Sequence, residues 1–125
     1  MKNLKPLILI LTVILSGYNL SAQRTSLPQE AEKAMLKATR YMVEKVSVNG
    51  GYVWHYLPDL SRRWGEMEAY KTMIWVQSPG TVSMGHLFLD AYRATRDEYY
   101  YQAAEKTASA LIWGQSPEGG WNYVI

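Results

Sequence analysis

The stretch from Ala103 to Tyr123 closes on Gly119-Gly120-Trp121-Asn122-Tyr123. It lies without a gap over Ala34 to Trp54, which closes on Gly50-Gly51-Tyr52-Val53-Trp54. Ala34, Lys37, Ser47, Gly50 and Gly51 meet Ala103, Lys106, Ser116, Gly119 and Gly120, while Met42 and Val43 meet Leu111 and Ile112. Tyr52 and Trp54 meet Trp121 and Tyr123. In each copy a helical pattern ends in paired glycines and a ring. Glycine suits such a place because the chain must turn through left-handed or close-packed backbone. A ring just beyond it can fold back on the helix end. Repeats of this kind bury their apolar faces against one another, so the expectation is matched helices side by side.

Three helices follow from that pattern. The first is expected after Ser26, with Pro28 in its first turn and Gln29 as the capping-box partner. Its apolar stripe is Ala31, Ala34, Met35, Ala38, Met42 and Val46, and Asn49-Gly50-Gly51 breaks it near Val46 to Val48. The second is expected to start at Thr81 with Thr81 as its N-cap, after the Ser78-Pro79-Gly80 turn. Its stripe is Met84, Leu87, Phe88 and Ala91. A short link at Thr95-Arg96-Asp97 makes the third helix its antiparallel neighbour, ending at Gly114. Between the first two, Tyr52 to Val76 keeps neither a helical nor a strand period. It is expected to be a long loop with strand-like pieces, Tyr52 to Tyr56 among them.

Residues 1–22 are a signal segment by pattern: Lys2 and Lys5, then the apolar run Leu7 to Leu15 broken by Thr12, then Ser21-Ala22. That run is too short for a stable membrane span. The expectation is a secreted or periplasmic protein, with no stable span once the segment is cleaved. Cleavage removes Lys2 and Lys5, and with them the whole net charge of +2. Thirteen basic residues against eleven acidic ones give no surplus for nucleic acid. The chain has no cysteine, which excludes disulfides, thiol nucleophiles and iron–sulfur clusters. Such a chain is held by packing alone. Its five tryptophans are heavy for 125 residues.

Gln115-Ser116-Pro117-Glu118-Gly119-Gly120-Trp121 resembles the Gln-x-x-x-Gly-x-Trp turn of terpene-cyclase toroids, where it ties helix ends together. Residues 50–123 as a whole resemble secreted pectate lyases of the family 10 type. The segments that carry this are Gly50 to Trp54, Asp59-Leu60-Ser61-Arg62-Arg63-Trp64-Gly65-Glu66, Trp75-Val76-Gln77-Ser78-Pro79-Gly80-Thr81 and Gly119-Gly120-Trp121. The resemblance implies an all-α fold: an incomplete α/α toroid of about three helices with long aromatic-rich loops, over residues 23–125. It also implies calcium-assisted β-elimination on acidic polysaccharide, with calcium ligands and base beyond Ile125. Because the second copy stops at Val124-Ile125, the chain is expected to be the N-terminal part of something longer, whose remainder would be its packing partner.

Arg62 and Arg63 are candidates for binding uronate carboxylates, since a guanidinium offers a planar fork. The competing reading is a loop salt bridge to Asp59, Glu66 or Glu68. Glu66 and Glu68 could help hold calcium or act as an acid/base pair, against a reading as solvated carboxylates. Trp54 and Trp64, with Tyr56 and Trp75, could form a stacking platform for sugar rings; Tyr52 and Trp121 read as packing. His55 and His86 lack metal spacing, and His86 reads as structural. The function expected is a pectate-lyase-like part of an exported polysaccharide-active protein. A non-catalytic carbohydrate-binding or scaffold protein, or a glycoside hydrolase on the same barrel, are the alternatives.

Overall fold

The computed structural model describes residues 26–125, so the signal segment read over residues 1–22 lies outside the described residues. Helix α1 spans Leu27–Tyr41 and opens as its sequence predicts, with the Ser26 N–H donating to Gln29 Oε1 at 3.3 Å. It runs into a π-helical turn, Met42–Val46, where the Ser47 N–H reaches back to the Met42 carbonyl. The expected stripe is buried only toward its end: Ala31, Ala34 and Ala38 are exposed, and Val46 is buried.

Val48 and Gly51 then exchange both backbone hydrogen bonds around Asn49 and Gly50, whose φ values are 49° and 88°. Two left-handed central residues make a tight reversal that only Gly and Asn adopt readily. Gly50 lies on the backbone of Lys106, where a Cβ would overlap the Lys106 carbonyl.

The chain after this turn corrects the all-α expectation. Strands β1 (His55–Tyr56), β2 (Arg63–Trp64) and β3 (Glu68–Ala69) form an antiparallel sheet in the order β1-β2-β3. The described residues therefore form three helices plus a three-stranded antiparallel sheet, which overturns the all-α incomplete toroid. His55 faces Trp64 and Trp64 faces Glu68; Tyr56 faces Arg63 and Arg63 faces Ala69. Strands of two residues are too short to show a period, so their pairing rests on the turns. In the first, Asp59 Oδ1 accepts both the N–H and the hydroxyl of Ser61, at 3.0 and 2.7 Å.

Helix α2 (Thr81–Thr95) is capped by Gly80 rather than Thr81. It ends at Arg96, with φ 61°, and Asp97 opens α3 (Glu98–Trp113) by accepting the Tyr99 N–H at 2.9 Å. The two helices pack as the expected hairpin, with Gly85 against Thr107. Thr81 is fully buried, and its hydroxyl is engaged by the backbone of Tyr52.

Two apolar clusters meet at Tyr56. One is Val46, Tyr52, Phe88, Ala103 and Ala104, in which the Tyr52 and Phe88 rings meet edge to face at 6.0 Å. The other is Val53, Ala69 and Trp75 beneath the sheet. The last residues pair with the middle of the chain: Ile74 and Ile125 exchange backbone hydrogen bonds at 2.9 and 3.1 Å. Among the described residues no helix is long and apolar enough to cross a membrane.

The two glycine turns are not equivalent. Gly119 has φ 90° but faces open space, and its N–H closes a turn on Ser116. The Gln115 amide donates to the Gly119 carbonyl, and the Trp121 indole N–H donates to the Leu111 carbonyl at 2.8 Å. That ring does fold back on a helix end and satisfies one of its orphan carbonyls.

Candidate functional site

Side chains alternate across a strand, so the pairing register sorts the candidates onto two sides of the sheet. His55, Trp64 and Glu68 stand in one row on the outer side, and Arg62, two residues before Trp64, shares that side. Arg62 reaches Glu68 with a fork, Nε to Oε1 at 2.7 Å and Nη2 to Oε2 at 2.8 Å. Its guanidinium lies 5.0 Å from the centre of the Trp64 ring. Both members of the ion pair are more than half exposed, and Trp64 is half-buried. Tyr70, just beyond β3, is 77% exposed.

The Arg62 fork holds the Glu68 carboxyl below the ordinary carboxylate range, and Glu68 in turn raises Arg62. The Ser61 hydroxyl and N–H lower Asp59 in the same way. Both carboxylates therefore stay ionised at neutral pH.

The inner side is different. Arg63 is 8% exposed, with its guanidinium 5.6 Å from the Tyr56 ring and a single long hydrogen bond, Nη1 to the Lys71 carbonyl at 3.5 Å. Its Nε is buried without a partner, and no carboxylate among the described residues pairs with it. Trp54 packs at 5.6 Å against the buried Trp75, and its indole N–H donates to the Gln77 carbonyl at 3.1 Å. Gly65 leaves room for the Trp75 ring, where a Cβ would overlap it.

The five sequence candidates thus separate. Arg62 and Trp64 come together on the outer side, with Glu66 exposed in the turn that follows β2. Arg63 and Trp54 are turned inward and do not join them. His55 is the residue that sequence reasoning left out of the group; the cross-strand register that brings it beside Trp64 is visible only in the fold. His86 is exposed on α2 rather than packed.

Chemically, the outer side offers a flat ring, the free N–H edges of a guanidinium, carboxylate acceptors and an imidazole. That set can hold a hydroxylated or carboxylated sugar ring by stacking and charge-assisted hydrogen bonds. Calcium needs six to eight oxygens. Among the described residues no three of His, Asp and Glu gather around a common point, and Glu68 and Asp59 are already engaged. No protein-family profile, curated protein or solved structure matches the chain.

Proposed function

We propose that the chain belongs to an exported protein that acts on acidic polysaccharide, and that the outer side of the sheet is where the polymer rests. One observation carries this reading: the half-buried Trp64, the exposed Arg62–Glu68 pair and the exposed His55 lie side by side on the outer side of the sheet. A pyranose has one apolar face for the ring and a rim of hydroxyls for the fork. A uronate carboxylate adds a charge that Arg62 can meet with the N–H groups that Glu68 leaves free. The likeness to pectate lyases adds the reaction, proton abstraction next to the uronate carboxylate followed by β-elimination.

A purely binding role is the second reading. It is favoured by the carboxylates themselves, because Glu68 is held in the Arg62 fork and Asp59 accepts from Ser61, so both are already engaged rather than free to take a proton from the polymer.

Affinity electrophoresis in polygalacturonate tests the shared part. The expected result is retarded migration, relieved by Trp64→Ala and unchanged by a substitution on α1 such as Lys33→Ala. Migration that polygalacturonate does not slow, or that Trp64→Ala leaves slow, overturns the assignment. Incubation with the same polymer, with and without calcium, separates the two roles. Ultraviolet-absorbing unsaturated product marks the lyase, and binding without product marks the recognition module.

A further inference from the structure

A second cleft lies away from the sheet, between the Val48–Gly51 turn and the C-terminal half of α3. It has a volume of about 210 Å³, and its floor is Ile74 and Ala110, both buried. One wall is Trp113, which is 78% exposed although it is the largest side chain in the last turn of the helix. Asn49, Thr72 and Ser109 stand around it, and none of its described lining is charged.

We propose that this cleft is a binding site for an uncharged pyranose, stacked on Trp113. The size admits one monosaccharide-sized ring, below the range of drug-sized pockets. The chemistry is amphipathic in the same sense as a sugar: an indole and an aliphatic floor for the apolar face, amide and hydroxyl groups for the edge. The side chains of Asn49 and Thr72 make no hydrogen bond within the described protein, and the Ser109 hydroxyl donates to the Glu105 carbonyl while keeping its acceptor sites. A wholly apolar ligand would strip water from Asn49 and Thr72 and return nothing. The backbone holds Asn49 in place, because its left-handed φ of 49° is fixed by the two hydrogen bonds between Val48 and Gly51.

The cleft also has an exit. A groove of about 650 Å³ shares Asn49 and Ser109 with it and runs on past Ser47, Gln102, Glu105 and Lys106. A chain of sugars seated at Trp113 has a polar path along α3. The inference is separate from the sheet, which carries charge where this cleft carries none.

The test is a two-dimensional NMR titration of the chain with methyl β-glucopyranoside, methyl β-galactopyranoside and the methyl glycoside of galacturonic acid. Ligand is taken to the order of 10 mM, the weak end of the affinity scale. A saturable shift of the Trp113 indole signal with at least one neutral glycoside is expected, with binding of the galacturonide about fivefold weaker or more. Trp113→Ala removes an exposed ring, and Asn49→Gly keeps the left-handed backbone while deleting the amide. Each is expected to weaken binding about tenfold, and Trp64→Ala to leave it unchanged. The proposal is overturned if no neutral glycoside gives a saturable shift, if the galacturonide binds best, or if Trp113→Ala binds like the parent. Failure of polygalacturonate binding at Trp64 leaves it standing.

Discussion

The Thr81 hydroxyl clasps the backbone of Tyr52, accepting its N–H at 3.0 Å and donating to its carbonyl at 3.1 Å. The Thr81 N–H in turn binds the Trp75 carbonyl at 2.7 Å, and the Trp75 N–H binds the Tyr52 carbonyl at 2.8 Å. Three segments distant in sequence are tied at one buried point: the glycine turn, the strand-like run at Trp75 and the start of α2. Thr81→Val keeps the shape but leaves the Tyr52 N–H without an acceptor. A loss of about 1–3 kcal/mol in urea unfolding is expected, the cost of stranding a buried polar group. Thr81→Ser should recover most of it. Equal stability of all three proteins would mean that water reaches this point.

The two glycine turns predict unequal sensitivity. Gly50→Ala meets a left-handed φ of 88° and the Lys106 carbonyl together, so α3 must move away from the turn. Gly119→Ala meets a φ of 90° with nothing in its way. Left-handed backbone alone costs about 1–2 kcal/mol. Gly119→Ala should stay in that range, and Gly50→Ala should exceed it by about 1–3 kcal/mol through overpacking. Thermal unfolding of the two variants under one condition measures the difference.

Helices α2 and α3 were legible because breakers bracket them: Ser78-Pro79-Gly80 before Thr81, Arg96-Asp97 between them and Gly114 at the end. The capping box of α1 was legible for the same reason, but the side it buries was not. Alanines pack by proximity rather than by size, and Ala31, Ala34 and Ala38 end up exposed. Of the sheet only the strand-like run Tyr52 to Tyr56, where β1 falls, was legible; the pairing was not, because the strands are two residues long and the register that pairs Trp64 with Glu68 depends on turn geometry. That same register decides which of Arg62 and Arg63 faces solvent. Two adjacent arginines carry equal promise in the sequence, and a one-residue alternation separates a surface group from a buried one.

The Arg62–Glu68 pair predicts the behaviour of the outer side toward acid. The pair lowers the carboxyl of Glu68 in the folded state. A depressed carboxyl contributes stability above its unfolded value, near 4.3 for Glu, and the contribution fades as pH falls through the folded value. From pH 7 to 5 nothing should change. The fork opens, and Arg62 is released from Glu68, only as the pH falls through that depressed value, below the ordinary carboxylate range. Carbon-detected NMR of the Glu68 carboxyl should titrate below the ordinary range in the parent and return to it in Arg62→Ala. An unshifted Glu68 in the parent would dissolve the pair.

Arg62 and Arg63 differ in their energetics as well as in the side of the sheet they face. A guanidinium 8% exposed, with an unpartnered Nε and no carboxylate at hand, has lost hydration and gained one long hydrogen bond and the edge of a Tyr56 contact. A cation over a ring returns about 0.5–2 kcal/mol, less than burying an unpaired charge costs. Methionine fills a similar volume without the charge. Arg63→Met is expected to be neutral or up to about 2 kcal/mol more stable in denaturant unfolding, and to migrate in polygalacturonate as the parent does. Arg62→Ala, on the outer side, is expected to do the reverse: little change in stability and weaker retention. A marked loss of stability in Arg63→Met would require an acceptor held against that Nε in solution, and the inner side of the sheet would then have to be counted as a site.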